Sequence, residues 1–238
     1  MKNRVNWTQA FAEVALLVVG IGLALAADAW NEYRLDRVAE AEYLTALKGD
    51  FEQTRANFRR TNANNTGYRN HSLAMLNLLA EPPLTVPSDS LKKHAYTSFL
   101  ISPFRPVLGT YFDMVNSGKM ELLQSDSLRS ALAQFETSLR WLDDNYREGF
   151  DQWNQIQAPF LVRNANARSF IGEEYAGIVS DLELPPSRFD ADSDVFWTRE
   201  LANIYVITAL SREGVVDTGE TAIRQIDEIL RLIESSRE

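Results

Sequence analysis

The chain has 238 residues, of which 45% are hydrophobic, enough to bury one sizeable core. Its formal net charge is −9, and residues 1–30 contribute nothing to that charge because Lys2 and Arg4 cancel Glu13 and Asp28. The acidic remainder argues against nucleic acid as a partner, and the absence of cysteine excludes disulfides, thiol catalysis and cysteine metal sites.

The N-terminal segment between Trp7 and Trp30 is mostly apolar. Residues 14–27 carry no charge, and the two tryptophans are separated by about 35 Å along a helix that rises 1.5 Å per residue. The hydrocarbon core of a bilayer is about 30 Å thick, and tryptophan prefers its two boundaries. We therefore predict a transmembrane anchor over residues 1–30, with the lipid bilayer as its partner.

The orientation of this anchor is not fixed by its flanking charges. Positive residues lie on both sides of it, namely Lys2, Arg4, Arg34, Arg37 and Lys48. A long C-terminal domain can be translocated largely regardless of its charge, whereas a short N-terminus stays most simply in the cytoplasm. We therefore expect a cytoplasmic N-terminus, with the C-terminal domain on the other side of the membrane.

A cleavable signal peptide is the alternative for the same residues. The apolar region would be residues 14–25, and Ala24-Leu25-Ala26 would form an A-x-A site. Cleavage after Ala26 would give a secreted or periplasmic protein. Residues 27–34 contain neither Pro nor Gly, so the helix can continue unbroken out of the membrane, which favours the anchor.

Glu13 is the one acidic residue inside the apolar segment. It lies six residues beyond Trp7, about 9 Å along the helix axis, and an ionised carboxylate that faces lipid costs free energy. One interpretation is a polar contact to a second membrane helix, or a protonatable site. The other is that the span begins near Ala12 and leaves Glu13 among the lipid headgroups.

Small residues inside the span form two pairs with a spacing of four. Gly20 pairs with Ala24, and Gly22 pairs with Ala26. Such pairs let two membrane helices approach closely, and they are also frequent by chance in spans rich in Gly and Ala. They give the hypothesis that the chain forms a homo-oligomer through its membrane helix.

Residues 31–62 are predicted to continue the helix as a juxtamembrane stalk that enters a bundle near Leu44. The polar stretch 62–70 predicts a turn that ends this helix. Apolar residues on a seven-residue spacing form one stripe along the stalk, namely Trp30, Leu44, Phe51 and Phe58.

The rest of the chain is predicted to be helical, and no stretch longer than four residues alternates strictly as a strand would. Gly118 is expected to close a short helix, Ser125 or Asp126 to cap a long amphipathic one, and Pro159 to end or kink it. Gly214 is expected to separate the last two helices. The fold class is therefore all-α, an antiparallel helical bundle over residues 31–238. The predicted helices after the stalk are 71–79, 88–100, 110–117, 128–158, 195–212 and a last one after Gly214.

Two stretches carry a resemblance to a known family. The first is Glu13-Val14, residues 19–25 (VGIGLAL) and Trp30-Asn31-Glu32; the second is residues 110–120 (TYFDMVNSGKM), followed by Leu122-Leu123 and residues 127–129. Together they resemble an uncharacterised bacterial family of single-pass, membrane-anchored helical proteins, a domain of unknown function. The resemblance implies a bacterial inner-membrane protein with a periplasmic helical domain, and it brings no catalytic residues.

Motifs for catalysis or for cofactor binding are not found. His71 and His94 are the only histidines, and neither lies in an H-E-x-x-H pattern. The sequence lacks a Walker loop, a dinucleotide fingerprint and a G-x-S-x-G elbow. We therefore predict a protein that is not an enzyme and has neither a cofactor nor a metal.

Two Pro-containing loops are candidate interaction sites. One holds Phe104 and Arg105, and the other holds Arg188 and Phe189, and aromatic and Arg side chains in loops suit recognition. The alternative is that both phenylalanines pack into the bundle. The sequence thus predicts a non-catalytic interaction or assembly module with an unknown protein partner, or else a helical bundle that senses a small ligand and acts through a partner membrane protein.

Overall fold

The computed structural model describes residues 7–82, 88–166, 170 and 193–237. These residues form six α-helices joined by short 3-10, π and extended segments, and they contain no strand, so the all-α prediction is confirmed. The helices are α1 (Trp7–Leu79), α2 (Ser88–Ala95), α3 (Gly109–Asn116), α4 (Asp126–Gln152), α5 (Ala158–Asn164) and α6 (Arg199–Ser235).

α1 is one unbroken helix of 73 residues. The turn predicted over residues 62–70 is therefore wrong. Asn65 and Ser72 are fully buried there, and both side chains hydrogen-bond to the segment that follows α2. These polar side chains make contacts with a distant part of the chain. The local sequence looks the same whether polar residues make such contacts or form a turn.

α6 runs antiparallel to α1, as the ion pairs between the two helices establish. From one ion pair to the next, the residue number of the α1 partner increases while the residue number of the α6 partner decreases. α6 is also antiparallel to α4, because Asn145 of α4 bonds Thr218 while Gln157, just beyond the end of α4, bonds Thr208. The ion pairs are Lys48 with Glu234 at 3.0 Å, Arg55 with Asp227 at 3.2 Å and Arg69 with Glu213 at 2.7 Å.

The connection from α2 to α4 runs back along α1 and fills the place of a further antiparallel helix. α2 and a 3-10 turn, Thr97–Phe99, lead into an extended stretch over residues 100–108, and α3 follows. Polar contacts mark the path from the distal end of α1, near Leu79, to the opposite end of the bundle. We call that opposite end, around Tyr43 and Asp113, the foot. The polar contacts join His71 to His94, Asn65 to Ser102, Thr54 to Val107, Asp50 to Thr110 and Tyr43 to Asp113.

Two groups of buried apolar side chains form the core. The group nearer the foot joins α1, α3, α4 and the C-terminal half of α6, and aromatic rings such as Phe51 and Phe135 meet there with centroids 5.4 Å apart. The distal group joins α2, α5 and the N-terminal half of α6 around Tyr205, whose ring stacks on Phe99. The stripe predicted along the stalk is buried from Leu44 onward, whereas Trp30 is exposed.

Local signals around α3 and α4 are confirmed. Gly118 has a φ of 71°, in the left-handed region that a helix end favours. The Ser125 hydroxyl accepts a hydrogen bond from the Leu128 amide and caps α4. The chain leaves α4 through a π-turn, Trp153–Gln157, and Pro159, which has no N–H to donate, lies in the first turn of α5 directly after it.

The break predicted at Gly214 is also wrong, because α6 continues through it. Arg212, Val215 and Val216 are all buried on either side, so tertiary packing outweighs the roughly 1 kcal/mol that a helical glycine costs. The helix starts at Arg199 with Thr198 as its cap, later than the predicted start at 195.

Candidate functional site

The N-terminal part of α1 projects from the bundle with its apolar side chains exposed. Among the described residues, α1 is the one helix long and apolar enough to cross a membrane, and its most apolar window is 0% buried. Leu16 is 77% exposed and Leu23 is 67% exposed. Leucine exposed over consecutive helical turns is costly in water and favourable in lipid.

The residues singled out in this span all lie on the continuous helix. Trp7 is its first residue, and the side chains of Glu13 and Trp30 are exposed. A Cβ atom added at Gly20 or Gly22 would meet nothing within 4 Å, so space for a close neighbour exists beside both glycines. Ala24 and Ala26 are exposed as well.

The second stretch that carries the family resemblance, residues 110–120, contacts α1 at the foot, beyond the end of the first stretch. The Tyr43 hydroxyl donates to Asp113 at 2.9 Å and accepts from the Lys119 ammonium at 2.9 Å. The hydrogen bond from Lys119 to Tyr43 is the main reason that the pKa of Lys119 is raised above its usual value. Glu40, which is buried, pairs with Arg37 and accepts a hydrogen bond from the backbone N–H of Gln124. The turn around Gly118 is thereby fastened to α1 just beyond the exposed span.

The predicted interaction loops have different surroundings. The Phe104 ring packs edge-on against Phe58, with centroids 5.0 Å apart, and so belongs to the bundle interior. Arg105 beside it is exposed. Arg188 and Phe189 lie outside the described residues.

Buried polar side chains of α1 hold the extended stretch that contains Phe104. The Asn65 amide donates to the Ser102 carbonyl at 3.0 Å, and its oxygen accepts from the Ser102 amide at 2.8 Å. The Thr54 hydroxyl exchanges hydrogen bonds with the backbone of Val107 in the same way. These contacts satisfy backbone groups that no helix or strand would satisfy there.

Arg212 is a fully buried cation that the sequence did not point to. Its guanidinium donates to the carbonyl oxygens of Leu100 at 2.8 Å and Phe99 at 3.0 Å. Burial lowers the pKa of Arg212 to about 10. Gly149 on α4 leaves room for the guanidinium, because a Cβ atom there would lie 2.8 Å from Nη1.

The only two histidines of the chain meet between α1 and α2. Their Nδ1 atoms are 3.0 Å apart, and both rings are partly buried. In the part of the chain that the structure describes, no group of three or more His, Asp or Glu side chains is placed to hold a metal ion.

Concave regions formed by described residues are open or very small. A groove of about 740 Å³ lies on α1 near the foot, around Val38 and Ala41. A void of about 150 Å³ lies between the π-turn and α6, where the Gln157 side chain donates to Thr208 and its own oxygen is unpaired. That void is far smaller than the 300–1,000 Å³ typical of small-molecule sites, and it has no room for a molecule of the size of water.

Comparison with protein-family models, with curated proteins and with solved structures gives no match for this chain.

Proposed function

We propose that this chain is a single-pass protein of the bacterial inner membrane, with a cytoplasmic N-terminus and a periplasmic helical bundle. The observation that carries the proposal is the exposure of the leucines and valines of α1 between residues 16 and 25. An apolar helical segment whose side chains stay exposed beside the described part of its own chain needs lipid or another protein around it. Continuity of α1 through Ala26 supports an anchor over a cleaved signal peptide.

The bundle is proposed to act as a non-catalytic interaction or assembly module. Its interior is filled by two apolar groups, and its most enclosed void among those described is only about 150 Å³. The alternative function is a bundle that senses a small ligand through a partner membrane protein. The specific observation in its favour is the unpaired, buried oxygen of Gln157 beside that void.

Membrane attachment is tested by expressing the full chain in a Gram-negative host and washing the membranes with alkaline carbonate. We expect the chain to stay in the membrane, to keep residues before Ala27, and to keep the same mass when Ala26→Leu blocks the A-x-A site. A soluble chain that starts at Ala27 would contradict the anchor. An alkaline phosphatase fused to the C-terminus is expected to be active, because the proposed orientation places it in the periplasm. An inactive fusion would indicate the opposite orientation.

The interaction role is tested by cross-linking in intact cells, followed by purification in detergent. We expect a partner protein in fixed proportion to this chain. Purification without a partner, together with a raised melting temperature in a small-molecule fraction of the cell extract, would favour the sensing function instead.

A further inference from the structure

We propose that one face of α1 binds the same face of a second copy of this chain, so that two copies pair in parallel from the membrane span to the foot. The inference rests on the proposed membrane anchor, because two copies anchored in one membrane necessarily point the same way. We call this face the outer seam. It consists of Glu13, Leu17, Gly20, Ala24, Ala27, Asn31, Arg34, Val38, Ala41 and Thr45.

The part of the seam outside the membrane is an open groove. The core of the bundle uses a different face of α1, which carries Leu44, Phe51 and Phe58. Val38 is 55% exposed, and Ala41 and Thr45 beside it are small and exposed. Long side chains frame these small ones, so the groove can receive side chains from another helix. Its lining residues are Arg34, Arg37, Val38, Ala41, Glu42, Thr45 and Ala46.

The seam continues into the membrane because α1 is unbroken and the positions repeat every seven residues. Steps of seven lead from Thr45 through Val38 and Asn31 to Ala24. A seven-residue repeat on a helix of 3.6 residues per turn is the pattern of two helices that supercoil around each other. Exposure along the whole path leaves the seam open, since residues 15–35 are exposed throughout.

The seam distinguishes the two small-residue pairs of the span. At about 100° per residue, Gly20 and Gly22 face directions about 160° apart. Gly20 and Ala24 lie on the seam, together with Glu13, whereas Gly22 and Ala26 face away from it. A close approach of two helices along the seam therefore uses Gly20 and Ala24.

Charge complementarity favours a second copy as the occupant. Arg37 and Glu42 flank the seam and are five residues apart, the spacing at which flanking charges of two parallel helices meet. Arg37 of each copy thus faces Glu42 of the other, twice by symmetry. Arg37 also bonds Glu40 and the Leu122 carbonyl, and its five N–H donors serve these contacts together. Arg34, the cation within the seam, is long enough to turn its charge outward to water.

Single cysteines test this pairing cleanly, because the natural chain has no cysteine. Ala27→Cys and Ala29→Cys form a matched pair: both residues are exposed alanines on α1, and they face directions about 160° apart. A disulfide needs Cα atoms within about 7 Å, so we expect on the order of tenfold more disulfide-linked dimer from Ala27→Cys than from Ala29→Cys. Val38→Cys is expected to behave like Ala27→Cys.

Isoleucine substitutions test the membrane part in the full chain. We expect Gly20→Ile to lower the yield of the Val38→Cys dimer severalfold and Gly22→Ile to leave it unchanged. Equal cross-linking from Ala27→Cys and Ala29→Cys, or no dimer from either, in a chain that resists the carbonate wash would overturn the seam while leaving the anchor intact. A soluble chain that starts at Ala27 would overturn the anchor and, with it, the parallel seam.

Discussion

Arg212 on α6 donates from Nε to the carbonyl oxygen of Leu100 across 2.8 Å, at the point where the 3-10 turn passes into the extended stretch. Its Nη2 atom donates to the neighbouring carbonyl of Phe99. Within the described part of the chain, no carboxylate forms an ion pair with this guanidinium. The backbone carbonyl dipoles therefore stabilise the buried charge of Arg212. In return, the guanidinium fixes the position of the backbone between α2 and α3.

Arg212→Ala is expected to lower the free energy of unfolding by about 3 kcal/mol, because it leaves two buried carbonyl oxygens without a donor. Urea unfolding of the detergent-solubilised chain, followed by circular dichroism, measures the loss. Arg147→Ala is the control, since Arg147 is exposed and its ion pair among the described residues is with Asp143 one turn away, a contact expected to contribute under about 0.5 kcal/mol. Similar losses from both variants would contradict a structural role for Arg212.

Two glycines of α6 are expected to respond to alanine in opposite directions. A Cβ atom at Gly219 would come closer than 3.0 Å to both Asn62 and Phe104, so Gly219→Ala should destabilise by about 1–3 kcal/mol. Gly214 has nothing within 4 Å of that position, and Gly214→Ala should stabilise the helix by roughly 0.5–1 kcal/mol. Thermal unfolding of the two variants compares them directly. A Gly219→Ala protein as stable as Gly214→Ala would disprove the close approach.

Asn65→Ala is expected to release the extended stretch that α1 holds. Both hydrogen bonds to Ser102 are lost, and the amide and carbonyl of Ser102 are left unpaired. Hydrogen exchange at residues 100–108 should accelerate by roughly tenfold or more if the loss is about 2 kcal/mol. The matched control is Asn64→Ala, an exposed asparagine on the same helix, which should leave exchange there unchanged. Equal acceleration in both variants would count against the proposed hold.

Tyr111 is expected to ionise late. Burial first, and then the hydrogen bond to Glu136, raise its pKa to about 12. Because the folded state keeps the proton that the unfolded state releases near pH 10, the stability due to Tyr111 is complete below pH 10 and falls as pH rises through about 12.

Absorbance titration of the phenolate and unfolding measurements at alkaline pH test this linkage. Tyr111→Phe should remove one late-ionising group and flatten the fall in stability between pH 10 and 12. Glu136→Gln should lower the Tyr111 pKa while leaving the ring buried. If Tyr111→Phe leaves the alkaline titration unchanged, Tyr111 is not among the late-ionising tyrosines.

Local sequence signals predicted the parts of the fold that depend on neighbours along the chain. The Ser125 cap and the left-handed Gly118 each involve groups within a few residues. The break at 62–70 and the break at Gly214 were wrong because Asn65 and Arg212 bond the backbone of the connection, 37 and 112 residues away. The apolar span was evident from the sequence because residues 14–27 form one continuous uncharged run between two tryptophans. The groove near Val38 was not, because it depends on which face of α1 the bundle leaves open.

The unbroken length of α1 has a consequence for reach. From Trp30 to Leu79 the helix rises about 70 Å, and the rest of the bundle is fastened along it from Glu40 to His71. In an anchored chain, the distal end around α2 is therefore about 70 Å along the helix axis from Trp30, and the helix between them is unbroken. A partner that binds near α2 must itself extend into the compartment, whereas one that binds at the foot beside α3 can be another membrane protein of low height.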